Sequence, residues 1–350
     1  MYYDLFTPFP IPAAQADQSA TKKSKKAKGK APAPTPSASP APVKENLDCW
    51  DGLERQERDD VARRMAMIGH LGYSVTALTI SISEATNHVH PSPFQNKLPF
   101  PDLDPRSSNF SAPGSSNPGR QPLVQVARYH VRLDDGKAHC FTAANTQALR
   151  AYDILSVAPT TEKSFQLACT DLSNPGPNQI SIITLPLHER PFTFRFNHKQ
   201  MRQASRNGAV FELLYSAALF PPPSTLPDIA RRYRQNFLSN AREVVRITGG
   251  KGIIFSSGPS SGNEAGLRGC LDVVNLGTMI GMPANLAKEA VEKTPKMVLL
   301  RAQSRKTFKA IMTIPKYVPA PVEDTETESG KRPADVEGAG GESKKAKVST

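Results

Sequence analysis

The sequence has 350 residues, 32 of them proline, and a formal net charge of +12. Residues 19–46 carry a net charge of +6 and residues 319–350 carry −2, which leaves +8 for the rest of the chain. A fold that is basic in its own right favours polyanions, nucleic acid above all. A soluble protein that is basic by chance is the alternative at this point.

Three classes of protein are disfavoured by short features of the sequence. The cysteines (Cys49, Cys140, Cys169 and Cys270) stand far apart without a CxxC spacing, so we expect free thiols in a reducing compartment and no zinc ribbon. The opening residues MYYDLFTPFP lack the charged and apolar regions of a signal peptide. No apolar run approaches the roughly 18 residues of a membrane span, and we expect no membrane contact.

Strand-like apolar segments alternate with amphipathic helical segments along most of the chain. Strands are predicted at 2–8, 74–82, 124–133, 152–157, 180–185, 209–215, 252–257 and 297–301. Helices are predicted at 52–71, 161–170, 198–207, 228–247, 271–293 and 304–312. Strands this apolar are buried on both faces, as in a parallel sheet. About eight strand–helix units favour an α/β fold of the TIM-like (β/α) barrel type over an open sheet.

Two insertions and a tail interrupt the predicted barrel. In the first insertion KKSKKAKGK passes into APAPTPSASPAP, a lysine cluster on a proline-stiffened tether that we expect to be disordered. The second is rich in Pro, Ser, Asn and Gly and predicts a surface loop or disorder. The predicted organisation is a first barrel strand at 1–11, the disordered insertion at 12–48, barrel at 49–85, the loop insertion at 86–122, barrel at 123–318 and a disordered tail at 319–350.

The tail holds two basic clusters separated by an eleven-residue spacer. This arrangement is typical of a bipartite nuclear import signal, a flexible strand whose ammonium groups bind acidic grooves of an import receptor. An ordinary solvated tail is the alternative. The import residues would be Lys331, Arg332, Lys344, Lys345 and Lys347.

The long helix predicted at 228–247 carries arginines on one face. At about 100° per residue, Arg231 and Arg242 fall opposite the apolar side chains, and Arg232 falls at the edge of the same polar face. Guanidinium groups bind phosphate bidentately and stack on bases. These three arginines are therefore candidates for contact with RNA or another subunit, and a solvated outer helix is the alternative.

Further cations follow the predicted strands, where the functional rim of a barrel lies. Lys163 and Arg268 stand after two of these strands, and RAQSRKT places Arg301 at a strand end with Arg305 and Lys306 at the start of the next helix. Cations gain nothing from the dipole at a helix N-terminus, so this placement indicates phosphate contact. Chance placement with a benefit to solubility is the alternative.

No complete active site can be assembled from the sequence. A metal-dependent hydrolase in such a barrel needs several His, Asp or Glu side chains at strand ends. His88 and His90 have ligand-like spacing but stand in the Pro-rich insertion, and His130 and Glu212 lie within strands. We therefore expect no catalytic residue, metal or cofactor, and keep a metal-dependent phosphoesterase as the alternative.

Several long segments resemble one family, in the family's order. They are DILSVAPTTEKSFQLACTDL, NGAVFELLYS, RRYRQNFLSNAREVVRITGGKGIIFSSG, LRGCLDVVNLGTMIGM and VLLRAQSRKT, and the opening MYYDL also fits. The family is the thirty-kilodalton protein subunit of ribonuclease P and ribonuclease MRP. It implies a barrel related to the polymerase and histidinol phosphatase (PHP) metalloenzymes, although the HxH expected in their first strand is replaced here by Asp4, Leu5 and Phe6.

The resemblance also implies a role and partners. The chain would bind and scaffold the catalytic RNA of ribonuclease P, which removes the 5′ leader of precursor tRNA, and that of ribonuclease MRP, which processes ribosomal RNA. It would assemble with other protein subunits, including a small α/β subunit, in the nucleus and nucleolus. Lys163, Arg268, Arg301, Arg305 and Lys306 would be the leading contact residues, followed by the helical arginines.

Overall fold

The computed structural model describes residues 1–11, 49–82, 88–95, 97–110, 121–134, 139–188, 194–222, 224–259 and 264–307. The strands are β1 (Tyr3–Phe9), β2 (Val75–Ile82), β3 (Val124–Leu133), β4 (Ile154–Pro159), β5 (Ile182–Leu185), β6 (Val210–Leu214) and β7 (Ile253–Ser256). The helices are α1 (Arg55–His70), α2 (Thr146–Leu149), α3 (Glu162–Thr170), α4 (His198–Asn207), α5 (Ser216–Leu219), α6 (Pro227–Thr248), α7 (Cys270–Met279), α8 (Ala284–Glu289) and α9 (Lys293–Lys306).

The seven strands lie in chain order, each parallel to the next, and form a nearly closed barrel. This confirms the TIM-like barrel predicted from the apolar strands. Alternate side chains of each strand point outward to the helices or inward to the barrel axis. None of the helices in the described ranges has the length and apolarity that a bilayer span requires.

The last described helix, α9, contradicts the predicted strand at 297–301 and the break before the predicted helix at 304–312. Residues 293–306 form one continuous helix, so the described residues hold seven strands rather than eight. A short apolar run such as MVLLR does not distinguish a strand from a buried helix. The described part of the predicted helix at 304–312 ends at Thr307.

Helix α9 covers the end of the barrel where the strands begin. Its Val298 and Ala302 pack into an inner apolar cluster with the inward-facing side chains of all seven strands near that end. Those strand residues are Tyr3, Leu5, Val75, Ala77, Val126, Ile154, Ile182, Val210 and Ile254. A second and larger apolar cluster lies between the outer face of the sheet and the surrounding helices.

The predicted loop insertion is in part tightly packed. The described residues of 88–110 contain no helix or strand, yet Ser92 and Asp104 are buried. Asp104 accepts hydrogen bonds from Arg106 (Nη2–Oδ2 2.7 Å and Nε–Oδ1 3.0 Å) and from the Gln125 amide (3.0 Å), at the start of β3. These bonds fix the irregular backbone of this described segment to the barrel.

The segments predicted to be disordered, 12–48 and 319–350, lie outside the described residues, and so do the import residues of the tail.

Candidate functional site

The centre of the barrel is occupied by an ion pair between Arg128 of β3 and Glu212 of β6. Both side chains are fully buried. Arg128 Nη1 lies 2.6 Å from Glu212 Oε1 and Nη2 lies 2.5 Å from Oε2, the bidentate geometry that best matches a guanidinium to a carboxylate. The carboxylate lies in the middle of β6, inside the barrel rather than at the strand ends.

The remaining donors of Arg128 are also satisfied. Nε donates to Ser156 Oγ (2.8 Å), Nη1 to the Leu5 carbonyl (2.5 Å) and Nη2 to Thr184 Oγ1 (3.0 Å). A guanidinium has five N–H groups, and each now has an acceptor. Thr184 Oγ1 in turn donates to Glu212 Oε2 (2.6 Å). The network uses every N–H group of the guanidinium and engages both oxygens of the carboxylate, and a satisfied buried network of this kind is rigid.

Two rings cover this network on the side toward the carboxyl ends of the strands. The Phe6 ring lies 4.6 Å from the guanidinium carbon of Arg128 and 5.0 Å from the imidazole of His130. His130 Nδ1 lies 3.0 Å from Ser156 Oγ. Burial and the nearby charge of Arg128 hold the pKa of His130 well below its ordinary value, so the ring is neutral at physiological pH. Among the described residues, no three His, Cys, Asp or Glu side chains come together as a metal-ligand group.

Side chains join β1 and β7, the two strands that complete the circle. Ser257 donates its amide to Asp4 Oδ1 (3.1 Å) and its hydroxyl to the Phe6 carbonyl (3.0 Å). Arg64 of α1 donates from Nη2 to Ser257 Oγ and to the Gly258 carbonyl, each at 3.1 Å. Burial raises the pKa of Asp4 despite these bonds and the positive charge of Arg64. Asp4 of β1 thus helps to close the barrel by accepting a hydrogen bond from the residue that follows β7.

The four cysteines are free, as the sequence predicts, and all four are buried. Burial raises the pKa of Cys140 to about 11 and that of Cys169 to about 12. Such thiols are poor nucleophiles at neutral pH because the thiolate is scarce.

The leading contact residues do not share one rim. Lys163 is exposed in the first turn of α3, directly after β4, as predicted. Arg268 is partly buried, and its carbonyl accepts from Tyr73 Oη (3.0 Å) at the start of β2, while its own Nη1 donates to the Ala265 carbonyl (2.7 Å).

Arg301, Arg305 and Lys306 lie at the opposite end of the barrel from the predicted rim, because they belong to α9. Arg305 is only 1% exposed and donates to the Tyr152 carbonyl (2.6 Å), so its burial removes it from any RNA-contacting surface. Lys306 Nζ lies 2.7 Å from Asp153 Oδ1. Arg301 is exposed and donates from Nη1 to the Gly208 carbonyl (2.7 Å). These cations fasten α9 across the barrel.

The helical arginines lie where the sequence places them. Helix α6 spans 22 residues and buries Phe237, Ala241 and Val244, while Arg231, Arg232 and Arg242 are exposed. Neighbouring Arg246 is engaged by Glu243, with its Nη2 2.6 Å from Oε1. The three predicted arginines therefore form a solvent-facing cationic surface along α6.

A cationic cleft at the end where the strands begin was not predicted. It has a volume of about 660 Å³ and lies between α4, the end of α6, and α8 and α9, beside the starts of β6 and β7. Its cations come from three separate segments of the chain, which are α4, the turn before β7 and α9, so no single local motif marks them all. We call it the amino-terminal cleft; its charged residues are Arg202, Lys251, Glu289, Lys293 and Arg301.

One short motif does mark part of this cleft. In the sequence Gly249-Gly250-Lys251-Gly252 all three glycines have positive φ, between 64° and 75°. The run forms a turn that ends α6 and leads into β7, whereas a phosphate loop leads into a helix. The turn leaves Lys251 exposed in the lining of the cleft.

Comparison with known proteins adds independent information. Residues 33–307 match the family model described as ribonuclease P subunit p30. The chain is 31% identical over 259 residues to mouse ribonuclease P protein subunit p30, covering 73% of this chain and 85% of the relative. It is 26% identical over 256 residues to the Saccharomyces cerevisiae ribonuclease P/MRP protein subunit RPP1, covering 73% and 76%.

One chain in a solved structure of archaeal ribonuclease P with mature tRNA is similar to this chain in its backbone structure. The match has a TM-score of 0.46 and 11% identity, and it covers 76% of this chain and 96% of that chain.

Proposed function

The chain belongs to the p30 family of ribonuclease P protein subunits, and from that premise we propose that it is a scaffolding and RNA-contacting subunit of ribonuclease P without an active site of its own. The observation that carries the proposal is the Arg128–Glu212 network. It fills the barrel axis with a bidentate, fully hydrogen-bonded pair, and leaves the charge available to a polyanion on the outer surface.

The contact residues we propose are the exposed members of the predicted set. Lys163 lies on the rim, and the α6 surface presents Arg231, Arg232 and Arg242 to solvent. Arg268 ranks behind them because its guanidinium is partly engaged. Exposed guanidinium groups match phosphate geometry and gain affinity by releasing counterions from RNA.

The finer assignments follow from the family and the sequence. We propose that the partners are the catalytic RNA, precursor tRNA and other protein subunits, among them a small α/β subunit. A role in ribonuclease MRP is supported by the name of the yeast relative. Nuclear, and specifically nucleolar, localisation is supported by the basic clusters of the tail, Lys331–Arg332 and Lys344–Lys347, as a signal for an import receptor.

The test is recovery of the tagged full-length chain from its own cells, followed by sequencing of bound RNA and an assay of precursor-tRNA cleavage. We expect one abundant structured RNA and 5′ leader removal in the recovered complex. The purified chain alone is assayed in parallel on precursor tRNA and on a chromogenic phosphodiester. Hydrolysis by the chain alone that a chelator abolishes would refute the proposal in favour of a metal-dependent phosphoesterase.

A further inference from the structure

The amino-terminal cleft is bounded by elements far apart in sequence. Arg202 and Ser205 of α4 line one side, and Lys251 of the glycine turn lies at the base of β7. Helix α9 lines the other side with Lys293 and Arg301. Because α9 is fixed to the barrel by buried Arg305 and by the inner apolar cluster, this side of the cleft is held in place.

The charge of the cleft is strongly positive. Arg202, Lys251, Lys293 and Arg301 line it against one carboxylate, Glu289. Glu289 Oε1 lies 3.4 Å from Lys293 Nζ, and both side chains are largely exposed, so their attraction is weak. His198 also lines the cleft. Cations gathered around a concave surface concentrate an anionic ligand more effectively than the same charges on a flat face.

The floor of the cleft is apolar. It is formed by Met201, Ala209, Val210, Ile247 and Met297. Met297 is 42% exposed, so its side chain is accessible from the cleft. Methionine is flexible and polarisable and packs against ring systems of varied shape. The described lining holds no Phe, Tyr or Trp that would stack on a particular base.

A ligand for this cleft must therefore carry several negative charges and also flat apolar groups. The volume of about 660 Å³ falls within the range of pockets that enclose organic ligands, and exceeds the space needed by a single phosphate. Single-stranded RNA has both properties, whereas the bases of a duplex are stacked inside and unavailable to the floor.

We propose that the amino-terminal cleft is a binding site for a single-stranded segment of RNA. Phosphates lie against Arg202, Lys251 and Lys293, and a base lies over Met297, the exposed methionine of the apolar floor. Arg301 holds α9 in place through its hydrogen bond to the Gly208 carbonyl and also faces the bound RNA. The site is sequence-tolerant, since its contacts are ionic and apolar. This inference rests on the proposed function, and it adds a second RNA-binding surface, separate from the α6 surface.

The test compares two full-length variants that each lose three positive charges. The cleft variant is R202S/K251S/K293S, which spares Arg301 and its bond to Gly208, and the matched variant is R231S/R232S/R242S on the α6 surface. Circular dichroism and thermal unfolding check that both fold. The probe is a fluorescein-labelled oligouridine of twelve nucleotides. Its affinity for each variant is measured by fluorescence anisotropy at salt concentrations from 50 to 300 mM.

We expect the cleft variant to bind about tenfold more weakly at low salt, with a slope of log affinity against log salt shallower by about 2, as three lost contacts to a single strand require. An oligouridine with 4-thiouridine should photocrosslink to peptides that contain Met201 or Met297. An unchanged affinity and slope for the cleft variant would overturn the inference. If only the α6 variant weakens binding, the proposed function stands and the cleft assignment fails. If the wild-type chain does not bind the probe, the proposed RNA contact and the cleft assignment both fail.

A further variant separates RNA from a protein occupant. The acidic segment 323–328 of the tail has a charge opposite to that of the cleft. If that segment filled the cleft and kept RNA out, the cleft variant would lose no affinity for the probe in the wild-type background. A loss would then appear only together with E323Q/D324N/E326Q/E328Q, and this result would refute the assignment to RNA. We expect the tail variant to leave the cleft-dependent part of the affinity in place.

Discussion

Replacement of Glu212 by Leu is the sharpest test of the barrel interior. The substitution places an apolar side chain of similar size in β6 and removes both carboxylate oxygens, each of which lies 2.6 Å or less from an Arg128 nitrogen. It leaves a fully buried guanidinium without its anion. Breaking one side of a buried ion pair costs about 3–5 kcal/mol. In a domain of this size that corresponds to a fall of about 6–20 °C in Tm.

The comparison with R128M/E212L decides whether the charge itself is responsible. With both charges gone no buried ion is left unpaired, so we expect the double variant to be more stable than Glu212→Leu alone. The measurement is urea unfolding followed by circular dichroism and by fluorescence of the single tryptophan, Trp50. A loss below about 1 kcal/mol for Glu212→Leu, less than a typical unmet hydrogen bond to a charge, would refute the reasoning. If Glu212→Leu does not fold, Glu212→Gln gives the same comparison with a smaller perturbation.

Two further predictions concern the fastening of loop and helix to the barrel. Burial alone would raise the pKa of Asp104, but hydrogen bonds from Arg106 and from backbone amides outweigh it and hold the pKa below its ordinary value. Because the pKa of Asp104 is lower in the folded than in the unfolded state, the carboxylate stabilises the fold above about pH 3.9 and loses this effect as the pH falls. Asp104→Asn should therefore lower the free energy of unfolding by about 1–3 kcal/mol at pH 7, and the difference from wild type in urea unfolding should narrow below pH 4. A difference that does not vary with pH would contradict the assignment. Gly208→Ala places a Cβ 2.9 Å from Arg301 Nη1 at φ 93°, whereas Gly249→Ala meets nothing within 4 Å at φ 64°. Both variants should lose roughly 1–2 kcal/mol of stability because alanine is strained in the left-handed backbone region. Gly208→Ala should lose more, since its Cβ also displaces the Arg301 guanidinium. Equal falls in Tm for the two variants would show that the contact of Arg301 with Gly208 contributes nothing to stability.

The positions of β1 to β7 could be predicted because each is a short apolar run bounded by turns. The prediction of a strand at 297–301 was wrong, although it was based on the same kind of short apolar run. Its apolar residues satisfy both a strand and a helix, and the choice was made by the open end of the barrel, which Val298 and Ala302 fill. That requirement arises only when seven strands are already assembled.

The two surfaces proposed to contact RNA differ in how far the sequence reveals them. The α6 surface depends on one helix, so the spacing of Arg231, Arg232 and Arg242 along the chain was sufficient. The amino-terminal cleft combines Arg202, Lys251 and residues near position 300, and the partnership of Arg128 with Glu212 spans four strands of the sheet. Distances between such residues are set by strand register and helix packing, which periodicity within a segment does not describe.

The closure of the barrel by α9 has a consequence for synthesis on the ribosome. The strand made first, β1, packs its Tyr3 and Leu5 against Val298 and Ala302, which are made nearly 300 residues later. Until that helix emerges, the inner apolar layer of a nascent barrel faces water, a state prone to aggregation. The chain therefore completes its fold late, and a nascent chain released before about residue 300 should depend on chaperones more than the finished protein does.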